Sequence, residues 1–322
     1  MIIFVETSQH LPILDIKVYE ESHVTVVKQI GEGAFGFVYL VHVSQQFEPD
    51  DPSAMAMKVI KCNIEERLSD LEQEATILSE LKHPNIVKFF GMSYKDGKSA
   101  LLFEYMERGN LVNYLRDRNP RSSEGLNALC LQELIDIALQ IATGIVYLHN
   151  KRLVHRDLAA RNCLVGPGVV IKISDFGMTR DIYTTDYYKM DTKTLVPVRW
   201  ISPESVLYRR FTTESDVWSF GIVLWEIFSH GCLPWCQFSN CEVLKCITEG
   251  ELLNRPDQCP SHIYSLMLRC WKKDPSQRCG IDELRLELEE VAQSLPPKLG
   301  EDVNCKPTIA SIKQFSANGS ST

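Results

Sequence analysis

The residues whose side chains are best suited to take part in a reaction are Asp157 and Asn162, which lie five positions apart in the stretch 155–162. A carboxylate can accept a proton from a hydroxyl group, and an amide oxygen can coordinate a hard cation. Apolar runs at 153–154 and 163–165 flank the stretch. The pattern therefore predicts a tight loop between two short buried strands, which would direct both side chains to one point.

A second carboxylate, Asp175, follows thirteen positions after Asn162, at the end of the strand-like run 169–173. It begins an Asp-Phe-Gly triplet, and Asp157 ends a His-Arg-Asp triplet. A His-Arg-Asp triplet alone could equally be a solvated turn. Together with Asp-Phe-Gly at this distance, it resembles the catalytic loop and the metal-binding motif of protein kinases.

The strand-like residues from Val24 onward run into a glycine-rich loop with the spacing G-x-G-x-x-G. Dinucleotide-binding folds share this spacing, but in those folds a helix follows the loop. Here residues 37–43 are rich in β-branched and aromatic side chains, which predicts a strand–loop–strand unit that folds over ATP phosphates. The loop residues expected to contact ATP are Gly31, Glu32, Gly33 and Gly36.

Lys58 lies inside the apolar run 54–60, where an ammonium without a counter-charge would be costly. It could instead be an edge lysine whose ammonium reaches solvent. The predicted helix 64–81 offers a partner, because Glu74 shares the face of its apolar residues. The resemblance to kinases implies that Lys58 holds the α- and β-phosphates of ATP and that Glu74 holds Lys58.

The same resemblance implies an adenine pocket beside the segment 104–109, which would form the hinge. The hinge backbone would bond to the adenine edge. Phe103, the residue that precedes the hinge, would be the gatekeeper at the back of the pocket. The residues expected to bind the nucleotide here are Val38, Ala56, Lys58, Phe103, Glu104, Met106 and Leu164.

Composition and charge exclude several other classes of protein. The chain has 322 residues, of which 44% are hydrophobic, and its net charge of −8 argues against a nucleic-acid partner. The eleven cysteines are scattered without the paired spacing of a zinc site, so we interpret them as reduced thiols in a cytosolic domain. We predict no signal peptide and no membrane-length apolar run, since the longest, 217–228, is interrupted by polar residues.

The resemblance to a protein kinase catalytic domain extends over residues 22–293. It implies an α+β fold with two lobes, a small β-rich N-lobe and a larger, mainly helical C-lobe. The expected divisions are a leader or juxtamembrane-like segment at 1–21, the N-lobe at about 22–103, the hinge at 104–109, the C-lobe at 110–293 and a disordered tail at 294–322.

Two features resemble the tyrosine-specific branch of the family. Residues 159–162 read Ala-Ala-Arg-Asn where serine/threonine kinases carry a lysine, and residues 197–200 read Pro-Val-Arg-Trp, as in the floor that packs a substrate phenol ring. The segment 181–188 has the Y-x-x-x-Y-Y spacing of insulin-receptor and neurotrophin-receptor (Trk) kinases. Sequences at 208–216, 89–91 and 247–250 favour the Trk-like group.

The chain also departs from the Trk pattern. Residues 202–204 read Ser-Pro-Glu instead of Pro-Pro-Glu, and we expect Glu204 still to pair with Arg278. No Asn-Pro-x-Tyr motif precedes the domain, and no tyrosine follows Tyr264. We therefore expect either a fragment of a receptor or a truncated gene product.

The resemblance implies an ATP-dependent tyrosine kinase in which Asp157 accepts the proton of a substrate tyrosine and Arg161 supports Asp157. Asn162 and Asp175 would hold Mg²⁺. Two alternatives stay open to experiment. A pseudokinase scaffold would show damage to the lysine or to the two loop motifs, which are intact, and a serine/threonine kinase is disfavoured by Arg161 and Pro197.

The resemblance also implies a regulatory switch in the activation segment. Tyr183, Tyr187 and Tyr188 would be autophosphorylated in trans within a dimer, and Arg156 and Arg180 would bind the new phosphates. SH2 adaptors would bind through the same segment. The full-length protein would be a single-pass receptor of the plasma membrane, with this chain as its cytoplasmic part and membrane contact only through a segment outside this chain.

Overall fold

The computed structural model describes residues 3–4, 16–33, 36–44, 46–48, 51–60, 68–121, 128–175, 187–191 and 194–295. The strands are β1 (Ile3–Phe4), β2 (Val24–Gly33), β3 (Gly36–Val43), β4 (Ala54–Ile60), β5 (Phe89–Lys95), β6 (Lys98–Glu104), β7 (Leu153–Val154), β8 (Cys163–Val165), β9 (Ile171–Ile173), β10 (Tyr187–Asp191) and β11 (Thr194–Pro197). The helices are α1 (Leu68–Glu80), α2 (Leu111–Asp117), α3 (Leu131–Asn150), α4 (Pro203–Tyr208), α5 (Thr213–Phe228), α6 (Asn240–Glu249), α7 (Ser261–Cys270) and α8 (Ile281–Ser294).

The N-terminal part of the chain forms a five-stranded antiparallel sheet with the strand order β2-β3-β4-β6-β5. β2 and β3 are joined at the glycine-rich loop, so the predicted strand–loop–strand unit is confirmed. The apolar residues at 86–90 predict a strand there, but β5 begins only at Phe89. Ile86 instead forms an isolated parallel bridge with Ile173, which links the sheet to the C-terminal part.

The C-terminal part is mainly helical and is built around α3 and α5. Both are buried on most sides and share one core cluster, to which α7 and α8 also contribute. The prediction that no segment reaches membrane length was wrong for α3, which is long and apolar enough by length and composition alone. Half of its apolar window is buried inside the fold, as expected for a core helix. The α+β, two-lobed architecture is confirmed.

Residues 16–20 belong to the packed N-terminal part, although we predicted them within a leader. The backbone N–H of Tyr19 donates to Met92 C=O at 2.8 Å, and Met92 N–H donates to Lys17 C=O at 2.9 Å. The Tyr19 ring is fully buried in the sheet's apolar cluster and meets Phe47 edge-on at 4.9 Å. The predicted boundary at 21/22 therefore cuts through packed structure.

Short strands carry the loops of the C-terminal part. β7 and β8 flank the stretch 155–162, so the predicted loop between two short buried strands is confirmed. β8 pairs with β9, whereas β7 pairs in antiparallel register with β1 near the N-terminus. β10 and β11 form a separate two-stranded sheet.

The Ser-Pro-Glu motif is tied to the core of the C-terminal part by the predicted ion pair. Arg278 binds Glu204 through two parallel contacts, Nη1 to Oε1 at 2.6 Å and Nη2 to Oε2 at 2.7 Å. The Arg278 side chain is fully buried and that of Glu204 is 8% exposed. The replacement of proline by Ser202 therefore leaves this anchor intact.

The cysteines within the described ranges are free thiols. In the same ranges, no three His, Cys, Asp or Glu side chains cluster closely enough to hold a metal ion. Any cation bound by this part of the chain would need ligands from a bound substrate or from water.

Candidate active site

One buried carboxylate stabilises the loop at 155–162 by hydrogen bonds to its backbone. Asp216, which is fully buried on α5, accepts the backbone N–H groups of His155 at 2.8 Å and Arg156 at 3.0 Å. Its Oδ2 also lies 3.1 Å from His149 Nε2. Burial opposes ionisation of Asp216, but the hydrogen bond and charge of His149 prevail, so its pKa lies below the usual value. Arg156 has a positive φ of 67°, an unfavourable conformation that these bonds stabilise.

The ring of His155 connects the two motif loops. Its Nε2 lies 3.0 Å from Ser174 C=O, and its Nδ1 accepts the Asp157 N–H at 3.3 Å. A carbonyl can only accept a hydrogen bond, so this pattern selects the neutral tautomer with the proton on Nε2. Burial lowers the pKa of His155 below its usual value, which agrees with a neutral ring.

The Asp157 carboxylate is oriented by Arg161. Arg161 Nη2 donates to Asp157 Oδ1 at 2.5 Å, and both side chains remain about one-fifth exposed, at 21% and 18%. The Arg161 guanidinium also stacks on Trp200, 4.1 Å from the ring centroid. The arginine therefore lies between the candidate base and the segment predicted to be the substrate floor.

Asn162 is oriented in a way that suits a cation ligand. Its Nδ2 donates to Asp157 C=O at 2.7 Å, so its amide oxygen is the end that could coordinate a hard cation. Its own C=O accepts the Ser174 N–H at 2.8 Å, which brings Asp175 next to it. The oxygen chemistry and the proximity of these two residues fit a divalent cation.

Lys58 and Asp175 form a direct ion pair across 117 residues of sequence. Burial opposes the charge on Lys58, but Asp175 and Glu74 outweigh it and raise the Lys58 pKa. Burial likewise opposes ionisation of Asp175, yet the Lys58 ammonium keeps its pKa below the usual value. For Glu74, burial prevails over the attraction of Lys58, and its pKa is raised. The sequence predicted the Lys58–Glu74 pair, and the structure adds Asp175 as a contact of the lysine.

One face of the sheet carries the predicted pocket residues. Along β4, Met55, Met57 and Val59 are buried, whereas Ala56 and Lys58 alternate with them and are only partly buried. In register, Val38 lies opposite Lys58, and Phe103 lies opposite Ala56. Because side chains alternate along a strand, these four residues share the face that looks away from the sheet's apolar cluster.

The hinge region connects to both parts of the fold. The Glu104 carboxylate accepts hydrogen bonds from Lys88 N–H at 2.6 Å and from Lys172 Nζ at 2.7 Å. Met106 is 7% exposed, and Leu164 bridges to Asn110 from the C-terminal side. Phe103 packs on Phe89, with ring centroids 5.5 Å apart. The predicted pocket residues thus come from both sides of the hinge.

The glycines of the loop do not share one role. A side chain on Gly36 would overlap the backbone C=O of Val59, so the packing of β3 on β4 requires this glycine. A Cβ on Gly31 would make only ordinary contacts, at 3.5 Å from Val38 Cβ. Packing alone therefore requires glycine at Gly36, whereas it does not require glycine at Gly31. Glu32 and Gly33 pair with Phe37 and Gly36 at the tip of β2 and β3.

A residue outside our predicted site joins the loop at 155–162 to the segment predicted to be the substrate floor. Glu226 on α5 is 2% exposed, and its Oε2 accepts both the Ala160 N–H and the Trp200 Nε1–H at 2.9 Å. The sequence contained a signal for it, since a single carboxylate in the apolar run 217–228 needs buried donors.

The structure describes only some of the residues of the predicted switch. Tyr187 and Tyr188 lie on β10, where their backbones pair with Pro197 and Val196 of β11. Tyr183 and Arg180 lie outside the described residues. The Arg156 guanidinium lies 4.8 Å from the centre of the Phe211 ring, and its buried Nε has no hydrogen-bond partner in the described structure. Burial lowers the Arg156 pKa to about 10.

The lobed fold and the paired loop motifs define a protein kinase domain. A model of the protein tyrosine and serine/threonine kinase family matches residues 24–288, and the chain belongs to this family. It is 45% identical over 278 residues to the high affinity nerve growth factor receptor of Rattus norvegicus, covering 84% of this chain and 35% of that receptor. The NT-3 growth factor receptor of Gallus gallus is 43% identical over 297 residues, covering 89% and 36%. The BDNF/NT-3 growth factors receptor of Gallus gallus is 43% identical over 297 residues, covering 91% and 36%.

These relatives confirm the predicted resemblance to neurotrophin-receptor kinases. The chain spans about a third of the length of the curated relatives it matches.

Proposed function

We propose that the chain is an ATP-dependent protein tyrosine kinase. The observation that carries the proposal is the contact chain Asp157–Arg161–Trp200, with Arg161 Nη2 at 2.5 Å from the carboxylate and the guanidinium stacked on the indole. A guanidinium at this point leaves room beside the base for a flat phenol ring over Pro197 and Trp200. It also directs the Asp157 carboxylate at the acceptor hydroxyl.

The nucleotide site would be formed by the face of the sheet described above. Val38, Ala56 and Leu164 would enclose the adenine, the backbone of 104–109 would bond to its edge, and the loop at Gly31 would cover the phosphates. Lys58 would orient the α- and β-phosphates, with Glu74 as its second carboxylate partner. Bound Mg²⁺, held by Asn162 and Asp175, would supply charge neutralisation for the phosphoryl group. Most of the rate gain would come from positioning and electrostatic stabilisation.

We infer that phosphorylation of the activation segment regulates this activity. Arg156 supports the inference, because its partly desolvated guanidinium has an unused N–H, and a phosphate would satisfy it. Tyr188 is the residue expected to matter most, with Arg180 as a second phosphate ligand. Autophosphorylation in trans should raise activity about tenfold or more, in line with couplings of 1–3 kcal/mol.

We further propose that the chain is the cytoplasmic part of a plasma-membrane receptor. The relatives' names as growth factor receptors support this, together with identities of 43–45% over most of the chain. Dimerisation would bring two chains together for phosphorylation in trans. SH2 adaptors would then bind the phosphorylated activation segment.

The test of the activity is phosphoamino-acid analysis of protein and peptide labelled from ATP and Mg²⁺. We expect phosphotyrosine alone, and Asp157→Asn should reduce the rate by roughly 10²–10⁴ while nucleotide binding persists. Phosphoserine or phosphothreonine would contradict the tyrosine assignment. Asp157→Asn activity within twofold of wild type would contradict the role of this carboxylate.

The test of the switch is the initial rate on a tyrosine peptide before and after preincubation with ATP and Mg²⁺. Tyr188→Phe should lose more of the gain than Tyr183→Phe, and Arg180→Ala should resemble Tyr188→Phe. A preincubation that changes nothing in the wild type would refute the switch but leave the kinase assignment standing.

A further inference from the structure

The strand β9 leads directly to Asp175, and the chain has unusual backbone conformations on both sides of it. Val169, two positions before the strand, has a positive φ of 61°, and Asp175, two positions after it, has a positive φ of 65°. A positive φ is a genuine outlier for a β-branched residue such as valine. Such conformations persist only where the surrounding contacts impose them. The contacts of β9 therefore help to determine where the Asp175 carboxylate lies.

A glutamine that takes no part in the proposed mechanism binds the start of this strand. Gln140, partly buried on α3, accepts the Ile171 N–H at 2.8 Å with its Oε1 and donates from its Nε2 to Val169 C=O at 3.1 Å. An N–H can only donate and a carbonyl can only accept, so these two bonds fix the orientation of the amide. Asn85, which is 8% exposed, donates from its Nδ2 to Ile171 C=O at 3.0 Å and to Gln140 Oε1 at 3.3 Å. The two side-chain amides thus bind both polar backbone groups of Ile171.

Asn85 also ties β9 to the N-terminal part of the fold. Its C=O accepts the Ile173 N–H at 2.9 Å, and Val87 N–H donates to Ile173 C=O at 3.0 Å. Asn85 and Val87 lie between the end of α1 and the start of β5. A Cβ added at Gly144, one turn after Gln140 on α3, would lie 3.0 Å from Asn85 C=O, so the helix backbone closely approaches this segment. Gln140 is therefore hydrogen-bonded both to β9 and to the segment that follows α1.

The same face of α3 also contacts the chain just after α1. Tyr147 OH accepts the Lys82 N–H at 2.9 Å. Tyr147 lies seven positions after Gln140, and Gly144 lies four positions after it, so the three residues share one face of the helix. This face contacts both β9 and the chain that leaves α1. It can therefore fix the relative positions of the two elements that carry the carboxylates near Lys58.

We propose that Gln140 is a positioning residue that acts through β9 to place the Asp175 carboxylate toward the cation of a bound Mg²⁺–nucleotide. The inference rests on the proposed function, because that function supplies the nucleotide and the cation. Removing the Gln140 amide would take away a side-chain partner from both Ile171 N–H and Val169 C=O and so loosen the strand. Changing a residue that orients a metal ligand commonly costs roughly 10–100-fold in affinity. Since Gln140 is one step further from the cation, we expect a loss of about tenfold.

The experiment compares two ligands of the purified full chain by isothermal titration calorimetry, Mg²⁺–ADP and adenosine, at a temperature at which each variant is folded. Gln140→Met keeps the length of the side chain and removes its amide. We expect it to weaken the binding of Mg²⁺–ADP about tenfold and to leave the binding of adenosine unchanged, because adenosine has no phosphates and needs no cation. The matched control is Gln132→Met on the same helix, where the amide donates to Asp136 Oδ1 at 2.8 Å. This control should leave both affinities unchanged.

Hydrogen exchange of the protein without nucleotide gives a second readout. The backbone amides of 170–175 should exchange faster in Gln140→Met than in the wild type, and Gln132→Met should not alter them. Gln140→Glu keeps the acceptor for Ile171 N–H and lacks the donor to Val169 C=O, so it should lose less affinity for Mg²⁺–ADP than Gln140→Met. If Gln140→Met does not fold, Gln140→Glu takes its place and should still weaken the binding of Mg²⁺–ADP alone.

An equal loss of affinity for both ligands would show a general loss of structure and would overturn the proposal. Unchanged exchange at 170–175 in Gln140→Met would also overturn it. If Mg²⁺ strengthens the binding of ADP as much in Gln140→Met as in the wild type, the role of Gln140 is refuted and the proposed function stands. If Mg²⁺ does not strengthen the binding of ADP to the wild type, the proposed cation site is refuted, and this role with it.

Discussion

The ion pair between Arg278 and Glu204 should be among the most costly contacts to break in the C-terminal part. Arg278 uses both ends of its guanidinium on the carboxylate, and it also donates to Glu214 C=O and Lys272 C=O, each at 2.8 Å. Its side chain is fully inaccessible to solvent. We consider the change Arg278→Met, which keeps a long apolar stem and removes the charge and every donor.

The expected loss of stability follows from leaving the Glu204 carboxylate buried without its partner. Breaking a buried pair from one side costs about 3–5 kcal/mol, because the remaining charge stays buried without a partner. For a domain of this size, each kcal/mol corresponds to about 2–4 °C, so the melting temperature should fall by about 10 °C. Arg278→Lys should cost less, since an ammonium keeps the charge but cannot form both parallel contacts. The double change Glu204→Gln with Arg278→Met should cost clearly less than the sum of the two single changes.

The assay is urea unfolding in reducing buffer, followed by intrinsic fluorescence. The matched control is Arg285→Met, which breaks an exposed pair with Glu289 at 3.1 Å on α8 and should cost about 0.5 kcal/mol or less. If Arg278→Met and Arg285→Met lose the same stability, the buried pair contributes no more than a surface pair. If the stability losses of the two single changes add up to that of the double change, Glu204 and Arg278 are not energetically coupled.

Three further perturbations address the site. Lys58→Met should lower the turnover number on a tyrosine peptide at least about a hundredfold without loss of fold, because it removes a preorganised phosphate contact; wild-type turnover would refute the phosphate assignment. Glu226→Gln should lower the free energy of unfolding in urea by about 1–3 kcal/mol and should also lower peptide turnover, because a neutral amide accepts hydrogen bonds from the Ala160 and Trp200 N–H groups less well. If both values stay unchanged, the contacts of Glu226 with Ala160 and Trp200 are not needed. His155 has a folded-state pKa below its unfolded value of about 6.5, so the unfolded state binds more protons just below that pH and stability should fall as pH drops through 6.5. Burial also lowers the pKa values of His83 and His230, so these residues contribute to the pH dependence of stability as well. His155→Asn should therefore reduce, without abolishing, the change of the urea midpoint with pH between about 5.5 and 7.5. If the pH dependence of the midpoint is the same in His155→Asn and in the wild type, the assignment to His155 is wrong.

Parts of the candidate site could be predicted from the sequence because each contains a polar or charged residue within or between apolar runs. Lys58 in an apolar strand and Asp157 between two apolar runs have few physical explanations other than a site. The Glu204–Arg278 pair was instead predicted from the resemblance to the kinase family, and the structure shows that both charged side chains are buried.

Other features left no comparable signal in the sequence. The docking of residues 16–20 depends on backbone hydrogen bonds to β5 and on a single aromatic ring, neither of which produces a periodic pattern. The start of β5 at Phe89 instead of Ile86 was decided by tertiary pairing, because Ile86 pairs with Ile173 from the other part of the fold. The contact of Lys58 with Asp175 depends on how two distant segments meet, and spacing along the chain does not determine that.

The burial of Tyr19 has a consequence for where the kinase domain can be cut. The family match begins at residue 24, but the sheet's apolar cluster is completed by a ring five positions earlier. A chain trimmed at residue 24 would keep every motif and lose this ring, leaving an aromatic-sized cavity of the kind that costs about 3–5 kcal/mol. Such a fragment could be catalytically complete in sequence and yet too unstable to purify, so the practical N-terminal limit of the domain lies at or before Ile16.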